Sequence, residues 1–230
     1  MSVPAEKSAN IMQAFVTPIG SFKIKKAKEI NPGLKKEILR LEALHEGKVK
    51  SNIGGWHSNE DLLTWETPEI AELQKAIKST TMQMIRETSG VKKFGAGLKM
   101  SAWANVNRKG TFNANHNHPG CQWSGVYYVQ GGDYKSDPIP RSGSLQFYDP
   151  RGSINMVQQP GNTMFGATLR ITPEDGLLLI FPSWLYHSVS PFSSDTTRIS
   201  IAFNVQITSF KEKGESPKKT AKKKTSKTKN

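Results

Sequence analysis

The 230 residues carry 32 Lys and Arg against 19 Asp and Glu, a net charge of +13, with 36% hydrophobic residues and one cysteine. A chain of this size can bury one full core, and all-β domains of such length are commonly single. A lone Cys121 excludes an intramolecular disulfide and a thiolate metal cluster, so any bound metal must take histidine or oxygen ligands.

In chain order, Asn31-Pro32-Gly33 is expected to open a first helix in which Leu34, Ile38, Leu41 and Leu44 recur at helical spacing up to Gly47. His45 sits in its last turn, where a helix-end cation is favoured. The Gly/Asn/Ser-rich SNIGGWHSNEDL reads as a loop, and its His57 as an ordinary loop histidine, since no second ligand type stands at chelating spacing beside it. Thr67-Pro68-Glu69 starts a second helix, with proline in the first turn, carrying Ile70, Leu73, Ile77, Met82 and Ile85 toward Gly90.

From residue 98 the apolar period changes to two. LKMSAWANVN, SGVYYV, SLQFY, LLLIF and RISIAFNV read as strands separated by Gly, Pro, Asp and Ser clusters, an antiparallel sandwich or barrel. In the last of them Ile199, Ile201, Phe203 and Val205 form one face, and Arg198, Ser200, Ala202 and Asn204 the other. A polar face on both the first and the last strand suits either solvent or a wet pocket inside the fold.

The chain is thus expected to be one domain over residues 1–210, helical over about 30–90 and β over about 95–207, followed by a disordered Lys-rich tail at 211–230. That tail holds nine Lys against Glu212 and Glu215, about half of the excess charge, and nothing to bury. Weak nonspecific nucleic-acid contact is the most it implies. The first twenty residues hold no apolar h-region and no apolar run of roughly 18 residues occurs, so a cytoplasmic protein with no signal peptide or membrane segment is expected.

Residues i and i+2 of a strand share a face, so His116 and His118 of NHNHPG can offer two imidazoles to one ion. His187 is the third histidine. It lies eleven residues before Arg198, and the turn-rich stretch between them reads as an antiparallel hairpin centred between Phe192 and Ser193 that sets the two opposite each other. A potential metal ligand then faces a cation suited to gripping a carboxylate. Three protein ligands on one face leave positions open, the arrangement of non-haem Fe(II) oxygenases.

These residues carry a resemblance. SN-x-GGW-x-S, HxHPG-x(3)-SGVYYV and R-x-SI-x-FN together resemble the 2-oxoglutarate and Fe(II)-dependent oxygenase superfamily, in particular a group common in marine bacteria and their phages, from about Phe15 to Val205. The resemblance implies a double-stranded β-helix (jelly-roll, cupin-like) core and a dioxygenase that uses Fe(II), O2 and 2-oxoglutarate. It would hydroxylate an unidentified substrate and release succinate and CO2. His116 resembles the first metal ligand and His187 the distal one; Arg198 resembles the clamp on the far carboxylate of 2-oxoglutarate, with Ser200 and Tyr128 adding hydroxyls. Asn107 is similar to a polar residue beside the cosubstrate, with Asn105 one pleat away. Gly110 resembles the glycine six residues before the first ligand in prolyl-hydroxylase-like relatives.

One departure matters. The acidic member of the family's HxD/E motif is His118 here, and three neutral imidazoles leave the ion its full charge until the cosubstrate dianion binds. A two-histidine site, or a carboxylate from elsewhere such as Asp149, are the alternatives. Trp103, Trp123, Trp184 and Tyr186 read as core first and pocket lining second. Two other functions stay open: a cupin-like metal-binding or interaction module without turnover, and a nucleic-acid-modifying oxygenase recruited by the tail. Arg198 argues against the first, because a simple cupin has no need of a carboxylate clamp.

Overall fold

The computed structural model describes residues 14–133, 141–152 and 166–212. Residues 213–230, most of the Lys-rich tail, lie outside the described residues. Among the described residues no helix is long and apolar enough to cross a membrane.

Helix α1 (Ala27–Leu44) starts one turn earlier than Pro32 signals and keeps that proline inside. An interior proline leaves a carbonyl unpaired and normally ends a helix. Here the turn is tied down from outside: Asn31 Nδ2 donates to the Val129 carbonyl (2.8 Å) and Asn31 Oδ1 accepts from the Tyr127 hydroxyl (2.6 Å). The buried stripe consequently shifts toward the N-terminus, to Ile30, Leu34 and Ile38, leaving Leu44 exposed. Helix α2 (Pro68–Ser89) follows its sequence signals: the Thr67 side chain caps the Ile70 N–H, and Gly90 ends the helix in the left-handed region at φ 71°. Met84, not Met82, joins its buried face.

Among the described residues eleven strands build two antiparallel sheets. The major sheet runs β1 (Gly20–Lys23), β9 (Leu177–Pro182), β6 (Trp123–Gln130), β11 (Arg198–Glu212), β4 (Phe94–Asn107), β3 (Trp56–His57). The minor sheet runs β2 (Asn52–Ile53), β5 (Phe112–His116), β10 (His187–Val189), β7 (Leu145–Tyr148), β8 (Thr168–Ile171). Both helices cover the outer face of the major sheet, where Ile199, Ile201, Phe203 and Val205 join Leu34, Ile38, Leu73 and Ile77 in one core. A second apolar cluster lies between the sheets, with Val126, Tyr128, Leu179 and Phe181 against Leu145, Phe147 and Val189. The polar faces of β4 and β11 therefore look inward, between the sheets, and not at solvent.

Two expectations are corrected. His187 and Arg198 do not face each other across a hairpin: β10 pairs with β5 and β7, whereas β11 pairs with β4 and β6. The stretch between them crosses from one sheet to the other. The strand β11 also continues through Lys211 and Glu212, paired with Gly95 and Phe94, so the first two residues assigned to the tail belong to the sheet.

Candidate active site

A cavity of about 530 Å³ opens between the two sheets. On the minor-sheet side His116 ends β5 in register with His187 at the start of β10. His118 lies two residues past β5, its backbone N–H held by the Ser183 carbonyl at 2.9 Å. One ligand atom from each of the three histidines falls within 4.8 Å of the others.

The imidazoles are oriented from behind. Nδ1 of His116 bonds the Ala114 carbonyl (2.7 Å) and Nδ1 of His187 the Leu185 carbonyl (2.9 Å). A carbonyl only accepts, so both Nδ1 atoms carry protons and both Nε2 atoms keep a lone pair for a ligated ion, that of His116 with the Ser51 hydroxyl 3.4 Å away. Nε2 of His118 lies 3.2 Å from Nε2 of His187, a separation that calls for either a shared N–H or a cation facing both. Burial and, after it, the neighbouring imidazole hold His187 down at about 3 and His118 at about 4; burial also lowers His116. The cluster is neutral near pH 7, as metal ligation requires.

The opposite wall is the polar face of the major sheet. Arg198 is 1% exposed, and its Nη1 donates to Asn107 Oδ1 (3.0 Å) and Ser200 Oγ (3.3 Å). Asn107 is turned that way because its Nδ2 donates to Thr111 Oγ1 (3.1 Å). The guanidinium lies over the Tyr128 ring, 5.2 Å from its centroid. Room for it comes from Gly143, at φ 61°, where a Cβ would stand 3.1 Å from Arg198 Cδ and 2.9 Å from the Phe192 ring. Among the described residues no carboxylate reaches Arg198, its Nε has no partner, and neither has the buried Tyr128 hydroxyl. Burial pushes that hydroxyl up, opposed by the Arg198 charge. A buried charge normally has a counter-ion, so this end of the cavity is built for an anion.

His116, His118, His187, Arg198, Ser200, Tyr128 and Asn107 are thus brought to one cavity. Asp149 is not among them: its carboxylate holds Arg151 at 2.6 Å and lines a different cavity, near Phe15 and Leu185. Of the four aromatic candidates, Trp103 lines the site, Trp123 is core, and Trp184 and Tyr186 are half exposed outside the cavity. Gly110 takes a left-handed turn at φ 86° just before β5, its N–H bonded to the Phe192 carbonyl. Sequence reasoning missed His57 as a cavity residue. It lies in β3, 4% exposed, stacked on Trp103 with ring centroids 5.5 Å apart, and the Gly-Gly turn before it was the only local hint of a strand.

Residues 101–204 match the model of a family described as "Putative 2OG-Fe(II) oxygenase". A Pseudomonas putida prolyl-4-hydroxylase shares the fold with TM-score 0.56 at 16% identity, over 82% of this chain and 91% of its own. A Trichoplax adhaerens prolyl hydroxylase, solved with a hypoxia inducible factor peptide fragment, aligns with TM-score 0.55 at 12% identity over 82% and 83%. HygX from Streptomyces hygroscopicus, solved with nickel, 2-oxoglutarate and hygromycin B, aligns with TM-score 0.54 at 15% identity over 84% of each chain. No curated protein matches the chain in sequence. The two antiparallel sheets form the double-stranded β-helix of these enzymes. Residues 101–204 thus carry the match to a 2-oxoglutarate and Fe(II)-dependent oxygenase domain, a family of oxidoreductases that use iron, 2-oxoglutarate and O2, and the three histidines could hold a metal ion.

Proposed function

We propose that His116, His118 and His187 hold the Fe(II) through their Nε2 atoms, and that Arg198, supported by Ser200 and Tyr128, binds the far carboxylate of 2-oxoglutarate. Three convergent neutral nitrogens suit a divalent first-row metal, and the donor set leaves positions open. When bound, the iron and 2-oxoglutarate supply an oxidant for a substrate C–H bond, with release of succinate and CO2. The chain's own residues position the partners. The carbonyls of Ala114 and Leu185 keep two imidazoles aimed, Asn107 fixes Arg198, and the Arg198 guanidinium offers its unpaired N–H groups to the dianion. Val126, Phe181 and Val189 line the cavity and limit water around the oxidant.

The observation that carries this reading is the buried Arg198, with no carboxylate partner among the described residues, in the same cavity as three neutral imidazoles. Anaerobic addition of Fe(II) and then 2-oxoglutarate to the purified protein should produce the metal-to-ligand charge-transfer band, and succinate should follow on admitting O2. Iron uptake with no band would instead favour a metal-binding module without turnover.

A further inference from the structure

The polar residues across the major sheet form a row. Tyr128 of β6 registers with Ser200 of β11, Ser200 with Asn105 of β4, and Asn105 with His57 of β3. Directly opposed residues of antiparallel strands share a face, and neighbouring strands stand about 4.8 Å apart, so the row spans about 14 Å of cavity wall. Its first half belongs to the proposed carboxylate clamp. Its second half has no assigned role and is not satisfied by the fold. Asn105 is 8% exposed, its Oδ1 is buried without a partner, and its carboxamide makes no hydrogen bond among the described residues. His57 Nδ1 bonds the Ser58 carbonyl at 2.6 Å, which places its proton there and leaves Nε2 a free acceptor. Trp103, the next inward residue on β4, stacks on His57 at 12° and stands 5.6 Å from the His118 ring, so this wall borders the metal cluster.

We infer that Asn105, His57 and Trp103 form the subsite for the oxidised substrate, and that it takes a neutral, planar amide-type group such as a carboxamide, ureide or lactam. This inference rests on the proposed function above. An unpaired buried carboxamide is complementary to a donor and an acceptor side by side, and His57 Nε2 asks for a further N–H. The indole offers a flat surface for a planar group. The charge balance selects a neutral one. The two charges of the metal and one of Arg198 exceed the two of 2-oxoglutarate by one, and Lys50 and Glu60, which also line the cavity, offset each other, so an ammonium is repelled. A carboxylate is opposed by the acceptors His57 Nε2 and Asn105 Oδ1.

Benzamide, benzylammonium and benzoate form a matched set of probes, read by ligand-observed saturation-transfer NMR on the full-length protein loaded with Zn(II) and saturating 2-oxoglutarate. Benzamide should bind and the two charged probes should not. Asn105→Leu and His57→Phe should each weaken benzamide about threefold to tenfold, and His57→Gln, which keeps a hydrogen-bonding side chain, should restore part of it. Equal binding of the three probes, or unchanged benzamide binding in both variants with melting temperatures showing them folded, overturns the inference. So does loss of 2-oxoglutarate binding in place of benzamide binding in Asn105→Leu, which would put Asn105 in the cosubstrate pocket. Failure of the wild type to take up metal or 2-oxoglutarate is seen before any probe is added and counts against the function. The benzamide comparison is then made on the unloaded protein, where His57→Phe and Asn105→Leu must still weaken it.

Discussion

The two sheets divide the labour of the site and position their residues by different means. On the minor-sheet side His116 and His187 sit at strand ends and His118 two residues past β5, the first two oriented by carbonyls two residues earlier in the chain, Ala114 for His116 and Leu185 for His187. Their aim is set locally. On the major sheet Arg198 is placed by its neighbours across strands, with Asn107 opposite on β4, the Tyr128 ring below and Gly143 making space. The metal side is thus built from neutral imidazoles, and the clamp side from a charge with no carboxylate partner among the described residues. Perturbing the first should cost metal; perturbing the second should cost cosubstrate while relieving the unloaded protein.

The largest effect is expected for His187→Ala, which removes the most buried of the three imidazoles: metal affinity in a chelator competition should fall by more than about 100-fold, and the charge-transfer band should vanish. Arg198→Met should weaken 2-oxoglutarate about tenfold to 150-fold by anaerobic titration, leave metal affinity intact, and raise the melting temperature of the unloaded protein because an unpaired buried charge is gone. A clear drop in that melting temperature would mean that Arg198 is paired within the fold and would sink the division between the sheets. His118→Asp restores the acidic ligand usual in the family; it should retain iron but lower 2-oxoglutarate affinity on the order of tenfold, since one positive charge is cancelled. Tyr128→Phe deletes a hydroxyl that has no hydrogen-bond partner among the described residues, so cosubstrate binding should fall only about threefold while the unloaded protein holds or gains stability in denaturant melts. The smallest effect is expected for Asp149→Ala, where an unchanged iron dissociation constant is the outcome that keeps the three-histidine centre and a large loss is the one that removes it.

Much of this was legible before folding. The change of period at residue 98 marked the β core, the i, i+2 spacing put His116 and His118 on one side, and the alternation of RISIAFNV separated Arg198 and Ser200 from the apolar face. The helix signals at Thr67-Pro68 and Gly90 worked because the caps are local. Pro32 misled because a contact 98 residues away, Asn31 to Val129, holds the helix through it. The strands β1, β2, β3 and β8 went unread, since two to four residues are too few to show a period.

By itself the sequence determined which residue types exist for chemistry and which face of its strand each takes, because alternation is a property of the extended backbone. Only the tertiary structure decided which sheet each strand joins. His187 and Arg198, eleven residues apart, were expected across one hairpin and stand on opposite sheets, because strand pairing follows the partners that bury each apolar face and not the turn residues between them. The same assembly set His57 opposite Asn105, a pairing across 48 residues of chain that no local pattern encodes.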